Sequence, residues 1–392
     1  MTLKAETKDA VQLPGVDLPR ADVPRVDLPS EHPIRLIDDS GHTADRTLTG
    51  GFALPDAQTL KLLYRRMVLA RRFDVQVTAL TRQGRLATYP SALGQEACEI
   101  GATVALNPTD WLFPTYRDSI AVLTRGIEIG ELLAGFRGDW HCGYDPMQHR
   151  TGIQATPLAT QTLHAVGVAK AAKLKRDPIA ALAFVGDGAS SEGDTHEAFN
   201  FAGVWQLPAV FVVQNNQFAI SVPVAKQTRA RAISDRAIGY GIQGHYVDGN
   251  DVAAVYAVVS AALEKARSGN GPTIIECLTY RIEAHTNSDD PSRYRDSSEV
   301  ATWKARDPIE RLEKYLVSEQ ILDDADRKTI AAEAEELAAA TRDAMNTEAV
   351  IDPMELFENV YAATRHSLLE QRDLLAAELM AAELTAAETD AR

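Results

Sequence analysis

The sequence predicts an α/β fold in which a parallel β-sheet is covered by helices on both faces. Three short apolar runs have the composition of buried strands: IAALAFVGDG (179–188), LPAVFVVQNN (207–216) and GPTIIECLTYRI (271–282). Two helical stretches separate them, DTHEAFNFAGVWQ (194–206) and VAAVYAVVSAALEKARSG (252–269). Apolar strands that alternate with helices are typical of parallel sheets with right-handed crossovers.

Helices are also predicted on both sides of this central region. Asp56 is a candidate N-cap for a long helix that Gly84 ends, with apolar side chains at helical spacing between them. Shorter helices follow in GQEACEIGATVAL (94–106) and RDSIAVLTRG (117–126). After Thr302 the Ala-, Leu- and Glu-rich composition again favours helix. The fold class is therefore an α/β sheet with helical N- and C-terminal additions.

Three regions are expected along the chain. Residues 1–45 are a proline-containing extension, whose regularly spaced prolines favour an extended or polyproline-like backbone. The prolines are Pro14, Pro19, Pro24, Pro29 and Pro33. A flexible tail and an arm laid over a partner chain are both open interpretations of this region. Residues 46–370 form the main domain, and residues 371–392 form a helical C-terminal tail.

Composition argues against several classes of protein. The formal net charge of −15 disfavours non-specific nucleic-acid binding, which depends on clustered Lys and Arg. No run of about 18 apolar residues is present, so we expect no membrane-spanning helix. Cys98, Cys142 and Cys277 are far apart and form no CxxC pair, which argues against a zinc site and a disulfide framework. The expected location is the cytoplasm.

The first two predicted strands end in polar motifs. Asp187 lies between Gly186 and Gly188 where the first strand ends, and Asn216 closes the second strand 29 positions later. In a βαβ unit both strand ends lie at the same edge of the sheet, the usual ligand edge of open α/β folds. Carboxylate and amide oxygens suit magnesium, and glycines followed by a helix N-terminus suit phosphate. A simple turn and loop start is the alternative, but the combined motif favours a diphosphate–magnesium site.

This combination resembles the thiamine diphosphate fingerprint. Three further segments extend the resemblance: WLFPTYRDS with Tyr116 and Arg117, TPLATQTLHAVGVAKA with Leu158, and TYRIEAHTNSDDPSRYR with Arg281 and His285. Together they resemble the alpha subunit of the thiamine diphosphate-dependent first component of 2-oxo acid dehydrogenase complexes, of the pyruvate or branched-chain type. The resemblance covers most of the chain between the extension and the tail, and it implies the thiamine diphosphate-binding fold.

The resemblance implies a role for each matching residue. Magnesium would be bound by the side chains of Asp187 and Asn216 and by the backbone carbonyl of Phe218. The backbone at Gly188 and Ala189 would approach the diphosphate. The remaining cofactor-binding positions are Tyr116, Arg117 and Arg281 at the phosphates, Leu158 beneath the cofactor, and His285 over its reactive ring. Thiamine diphosphate and magnesium are thus the expected cofactors.

His285 is the predicted catalytic residue. Over the reactive ring it can donate a hydrogen bond to the substrate, and the ordinary pKa of histidine allows proton transfer near neutral pH. Thr286 and Ser288 follow in a loop that is phosphorylated in mitochondrial relatives, although nothing in the sequence shows a kinase. Thr160 matches a potassium-binding segment of some relatives, but helix capping is the simpler interpretation. Gln214 stands where animal branched-chain enzymes have arginine, which leaves one phosphate contact open.

The resemblance also implies partners. In this family the glutamate that activates thiamine diphosphate belongs to a separate beta subunit, so we expect two alpha and two beta chains and no activity from this chain alone. The product acyl group would pass to the lipoyl-bearing dihydrolipoyl acyltransferase core. The expected substrate is pyruvate or a branched-chain 2-oxo acid, with residues 83–97 on the substrate side. The alternatives are an acetoin dehydrogenase alpha subunit, a non-catalytic thiamine diphosphate-binding subunit, and a structural subunit with a vestigial site.

Overall fold

The computed structural model describes residues 26–138, 143–346, 352–358 and 360–390, with side chains described up to residue 382. The chain forms two compact units, Met1–Ala344 and Met345–Arg392. Residues 1–25 of the predicted extension and Cys142 lie outside the described residues. In the part of the chain that is described, no helix combines the length and the apolarity needed to cross a membrane.

The first unit contains a five-stranded sheet and a small two-stranded hairpin. The strands are β1 (Trp111–Phe113), β2 (Ala181–Gly186), β3 (Ala209–Asn215), β4 (Phe218–Ala219), β5 (Val222–Pro223), β6 (Gln243–Asp248) and β7 (Thr273–Leu278). The five-stranded sheet has the order β1-β2-β3-β7-β6, and all of its neighbours are parallel. Strands β4 and β5 pair antiparallel. The predicted parallel α/β fold is confirmed.

Helices precede, separate and follow these strands. In the described ranges they are α1 (Ala57–Arg82), α2 (Glu96–Val104), α3 (Ser119–Thr124), α4 (Ile129–Arg137), α5 (Pro146–His149), α6 (Thr160–Lys175), α7 (Gly193–Trp205), α8 (Val224–Gln227), α9 (Val252–Arg267), α10 (Ser297–Lys304), α11 (Pro308–Ser318), α12 (Asp324–Asn346) and α13 (His366–Asp390). As predicted, Asp56 caps α1: its carboxylate accepts a hydrogen bond from the backbone N–H of Thr59. Asp251 caps α9 in the same way.

Alternate side chains of a strand point to opposite sides of the sheet. In the central strands, the side chains on both sides are buried. On one side Val185, Phe211 and Ile274 pack with residues of α6 and α7. The intervening residues, such as Phe184 and Val212, are fully buried on the other side, where α9 lies against β3, β6 and β7. This double burial explains why these strands are continuous apolar runs in the sequence.

The register of the sheet brings the predicted motifs to one edge. Gly186 of β2 lies opposite Gln214 of β3, and Asn215 of β3 lies opposite Leu278 of β7. Because the strands are parallel, the residues that follow them emerge on the same side. In chain order these residues are Tyr116, Arg117, Asp187, Gly188, Ala189, Asn216 and Arg281.

Three local features differ from the sequence predictions or were absent from them. Strand β1 is only three residues long, too short to show a periodic pattern. Strand β6 contains Gln243 and His245 and was not recognised as apolar, because it lies at the edge of the sheet and is only partly buried. A 3₁₀ turn at Ala189–Ser191 separates Gly188 from α7, so the helix does not begin directly after the glycine motif.

Part of the segment predicted as an extension is packed on the sheet. The backbone N–H of Ile34 donates to the carbonyl of Tyr246 (2.7 Å), and the N–H of Asp248 donates to the carbonyl of Ile34 (2.9 Å). Leu36 and Ile37 are buried, and both of their N–H groups donate to the Asp251 carboxylate. The structure therefore includes these residues, which precede position 45, in the first unit.

Beyond the end of α12, the described part of the second unit contains a 3₁₀ turn at Pro353–Phe357 and α13. Helix α13 begins at His366, five residues before the predicted start of the helical tail at residue 371. Several apolar side chains of α13, including Leu374 and Met380, are exposed.

Candidate functional site

A cavity of about 190 Å³ opens at the carboxyl ends of β2, β3 and β7. Nine of the ten predicted site residues line it: Tyr116, Arg117, Leu158, Asp187, Gly188, Ala189, Asn216, Phe218 and Arg281. The tenth, His285, contacts Arg117 at the side of the cavity. The elements that bring these residues together span 170 positions of the chain, from Tyr116 to His285. The structure therefore assembles the predicted residues in one place.

Gly188 allows the loop after β2 to approach the β4–β5 hairpin closely. A Cβ atom at this position would lie 2.6 Å from the Cβ of Ala219. Ala189 follows in the 3₁₀ turn, and the hydroxyl of Ser190 donates to the backbone carbonyl of Asp187 (2.6 Å). The loop is thus held tightly against the hairpin, with its backbone along the cavity wall.

Asp187 is a buried carboxylate at the cavity. Its Oδ2 accepts a hydrogen bond from Nε2 of Gln227 (2.7 Å). Burial raises the pKa of Asp187 above its ordinary value, and the bond from Gln227 opposes part of that rise. A nearby cation would favour the ionised form and reverse the direction of the shift.

The two asparagines that end β3 have different roles. Asn215 donates through Nδ2 to Glu276 (2.7 Å) and so ties β3 to β7. Asn216 lines the cavity; its Nδ2 donates to Oε1 of Gln95 (2.6 Å), and its Oδ1 accepts a weak bond from the N–H of Phe218 (3.3 Å). The carbonyl of Phe218 accepts from Arg281 (3.2 Å). Only Asn216 of the pair presents its side chain to the site.

The oxygens of Asp187, Asn216 and Phe218 suit a hard cation that also binds phosphate and water. Among the described residues, no group of three His, Cys, Asp or Glu side chains is placed to hold a metal. A site with one carboxylate, one amide oxygen and one carbonyl leaves further positions for phosphate and water, as magnesium prefers. The residues present therefore fit magnesium bound together with a diphosphate.

Two buried guanidinium groups line the cavity. Arg281 is 1% exposed and Arg117 is 4% exposed. Within the described residues, neither forms a direct ion pair with a carboxylate, and the Nε–H of Arg281 has no hydrogen-bond partner. Burial lowers the pKa of Arg281, and the neighbouring charge of Arg117 lowers it further. Buried cations without a carboxylate partner are costly, and an anionic ligand would neutralise them.

Both guanidinium groups also hold the walls of the cavity. Arg281 donates to the carbonyls of Phe218 and Ile220 in the β4–β5 hairpin and to the hydroxyl of Tyr294 (2.9 Å). Arg117 donates to the carbonyl of Ser91 (2.8 Å). They therefore connect the hairpin and the segment around Ser91 to the ligand edge of the sheet.

His285 lies beside Arg117. Its Nδ1 and its carbonyl oxygen are each 3.1 Å from NH2 of Arg117, and its ring meets the edge of the Tyr116 ring. Since a guanidinium can only donate, Nδ1 is the acceptor and the ring proton is on Nε2. Burial and the charges of Arg117 and Arg281 lower the pKa of His285 to about 4. With a pKa of about 4, His285 is a neutral hydrogen-bonding group at pH 7.

Leu158 lies at the cavity with 41% of its surface exposed, although its sequence context alone suggests a core residue. Ile220 lines the same cavity and is 56% exposed. Exposed apolar side chains at a cavity mark surface that a ligand or partner covers. Gln161, three positions after Leu158, is buried and donates to the carbonyl of Phe184 (2.8 Å). Thr160 is the first residue of α6, and the N-cap of this helix is Ala159.

Sequence reasoning missed four polar residues of the cavity wall: Gln95, Thr115, Asp118 and Glu192. Gln95 belongs to the segment expected on the substrate side, and Asp118 directly follows Arg117. Their closeness in sequence to recognised motifs is therefore the signal that could have identified them. Gln214, recognised only as a departure from relatives, also lines the cavity. Its side chain contacts Gln95 and Asp118.

Residues 64–350 match the family described as the dehydrogenase E1 component. The chain belongs to this family. It is 45% identical over 347 residues to the 3-methyl-2-oxobutanoate dehydrogenase subunit alpha of Mycobacterium tuberculosis, covering 88% of this chain and 94% of that protein. It is 36% identical over 343 residues to the pyruvate dehydrogenase E1 component subunit alpha of Staphylococcus aureus, covering 87% and 92%. The resemblance inferred from the sequence motifs is confirmed.

Membership of the dehydrogenase E1 family implies thiamine diphosphate as the cofactor. For an alpha subunit it also implies a beta-subunit partner and an acyltransferase core. These implications agree with the chemistry of the cavity, which combines two buried guanidinium groups with a buried carboxylate.

Proposed function

We propose that the chain is the alpha subunit of a 2-oxo acid dehydrogenase first component that acts on branched-chain 2-oxo acids such as 3-methyl-2-oxobutanoate. The reaction is oxidative decarboxylation with transfer of the acyl group to a lipoyl domain of the acyltransferase core. The cofactor part of the proposal rests on the buried guanidinium groups of Arg117 and Arg281, neither of which forms a direct ion pair with a carboxylate of the described residues. The relative at 45% identity supports the branched-chain substrate, and the relatives at 36% keep pyruvate as a second candidate.

The diphosphate of the cofactor would occupy the positively charged side of the cavity. Arg117 and Arg281 would each supply charged N–H donors, including the Nε–H of Arg281, which has no partner among the residues that the structure describes. Tyr116 and the backbone at Gly188 and Ala189 would complete the phosphate contacts. The tight approach of Gly188 to Ala219 keeps this backbone close to the cavity.

Magnesium would be held by Asp187, Asn216 and the carbonyl of Phe218. The metal would keep Asp187 ionised despite its burial, because a cation stabilises the carboxylate form. It would also offset the negative charge that the diphosphate brings beside this carboxylate.

Bound thiamine diphosphate supplies a nucleophilic carbon and an electron sink for the decarboxylation. The residues of this chain bind and orient. His285, with its proton on Nε2, would donate a hydrogen bond to the carboxylate or carbonyl oxygen of the substrate, while Arg117 fixes the ring through Nδ1. Leu158 would support the cofactor from below with an apolar surface. Its exposure, and that of Ile220, fits a cavity that a beta subunit closes and shields from water.

The test is an activity assay of the full chain purified with its cognate beta subunit. With thiamine diphosphate and Mg²⁺, we expect carbon dioxide release from 3-methyl-2-oxobutanoate with a higher kcat/KM than from pyruvate. The matched control is the same assembly with Asp187→Ala, which should lose activity and still assemble. A preference for pyruvate would select the second candidate, and no release from either substrate by a folded assembly would refute the proposed function.

A further inference from the structure

Four buried polar side chains form a continuous chain of hydrogen bonds beside the cavity. Gln214 donates from Nε2 to Oδ1 of Asp118 (2.6 Å), and Gln95 donates from Nε2 to Oε1 of Gln214 (3.2 Å). Asn216 donates from Nδ2 to Oε1 of Gln95 (2.6 Å). None of the four residues is more than 7% exposed. We call this set, Asp118–Gln214–Gln95–Asn216, the amide relay.

The direction of the amide relay is set at its Asp118 end. An ionised carboxylate can only accept, and Oδ2 of Asp118 already accepts from the N–H of Thr115 (2.6 Å). Burial raises the pKa of Asp118 to about 6, so the carboxylate form still predominates at neutral pH. Gln214 must therefore turn its amide nitrogen towards Asp118, which leaves its oxygen for Gln95.

The same constraint passes along the remaining bonds. Gln95 uses its nitrogen towards Gln214 and presents its oxygen to Asn216. Asn216 must then place Nδ2 against Gln95. Rotating the Asn216 amide by half a turn would set two carbonyl oxygens against each other in a buried site, where an unpaired polar group is costly. Nδ2 of Asn216 is consequently held against Gln95, and Oδ1 is the amide acceptor that remains for a ligand in the cavity.

We propose that Gln95, Gln214 and Asp118 are positioning residues that lock the amide of Asn216 so that its oxygen faces the magnesium site. This inference rests on the proposed function, in which Asn216 is a metal ligand. It gives Gln214 a role that needs no phosphate contact: the residue transmits the orientation imposed by Asp118 across the wall of the cavity. Magnesium prefers oxygen ligands. The relay therefore has to present the oxygen of the Asn216 amide, and not its nitrogen, to the metal.

The experiment measures Mg²⁺ affinity by calorimetry on the assembled alpha and beta chains at saturating thiamine diphosphate. Gln95→Met and Gln214→Leu remove the relay and keep similar side-chain volume. We expect each to weaken Mg²⁺ binding by about 10–100-fold, the usual effect of losing a residue that orients a metal ligand. The matched control is Gln217→Ala, because Gln217 lies in the same loop and its side-chain amide donates to Asn215, outside the relay. It should leave Mg²⁺ affinity unchanged.

A rescue variant separates orientation from general damage to the fold. In Gln95→Met/Asn216→Asp the residue at position 216 is a carboxylate, which presents an oxygen in either rotamer and needs no relay. Mg²⁺ affinity should therefore recover relative to Gln95→Met alone. Failure of this rescue would overturn the inference, as would unchanged affinity in the two single variants while Asp187→Ala loses binding. If Asp187→Ala also retains Mg²⁺ affinity, the proposed metal site itself is wrong, and the inference falls with it.

Discussion

Gly188→Ala isolates the contribution of one close backbone contact to cofactor binding. Gly188 has φ −61° and ψ −47°, a conformation that alanine adopts without strain. The added Cβ would instead lie 2.6 Å from the Cβ of Ala219, where ordinary contact begins at 3.4 Å. The substitution therefore acts by steric overlap, and the loop after β2 and the β4–β5 hairpin must move apart.

The structure indicates how large this effect is. Overpacking of this kind costs about 1–3 kcal/mol in well-packed sites. The hairpin that must move carries the carbonyls of Phe218 and Ile220, which position Arg281. If about 1.4 kcal/mol of this cost destabilises the cofactor-bound state relative to the free state, the affinity for thiamine diphosphate drops about tenfold. We expect that loss together with a lower melting temperature.

Calorimetry with thiamine diphosphate and Mg²⁺ on the assembled chains measures the affinity, and thermal unfolding measures the stability. Gly188→Ala/Ala219→Gly should restore both, because it removes the atom that the new methyl group meets. Gly193→Ala is the control, since a Cβ there has no neighbour within 4 Å. Wild-type affinity and melting temperature in the single variant would refute the argument that this contact shapes the site.

Three other predictions follow from the site. Asp187→Ala should abolish Mg²⁺-dependent cofactor binding while the melting temperature stays close to that of the wild type; unchanged calorimetric affinity would remove the metal assignment. The pKa of His285 is below its unfolded value, so its contribution to stability is complete above pH 6.5 and is lost as the pH falls towards about 4. Denaturation curves of His285→Gln should lack this part of the acid dependence, and its activity in the assembly should fall about 100-fold. The chain without a beta subunit should show no decarboxylase activity, and turnover by a homogeneous sample would contradict this.

The parts of the fold that were predicted are those in which local sequence decides the outcome. Strands β2, β3 and β7 are buried on both faces, so each is an apolar run in the sequence. Helix α1 has a capping residue at its start, Asp56, and a glycine shortly after its end. Strand β6 was missed because an edge position allows polar residues such as Gln243, and local composition then carries no strand signal.

The features of the candidate site also divide into those that local sequence predicts and those that it does not. The Gly-Asp-Gly and Asn-Asn motifs mark strand ends, and the position of a strand end in a parallel sheet follows from topology. The bond between Gln95 and Asn216 joins residues 121 positions apart, and that between Asp118 and Gln214 spans 96. Such contacts depend on how α2, β3 and the segment before α3 pack, which no local pattern encodes. The low pKa of His285 likewise depends on its burial and on the charge of Arg117, which lies 168 positions away in the sequence.

The segment around Ile34 covers part of a strand edge that could otherwise pair with other chains. Strand β6 is the last strand of the sheet, and an uncovered last strand offers unpaired backbone groups to other chains. Ile34 occupies two of those groups, the carbonyl of Tyr246 and the N–H of Asp248. A truncation that removes residues 1–45 would free them, and it would also strip Asp251 of the N–H groups of Leu36 and Ile37. Such a shortened chain should self-associate through the exposed strand. A chain that starts at residue 26 retains Ile34 and should keep the strand covered.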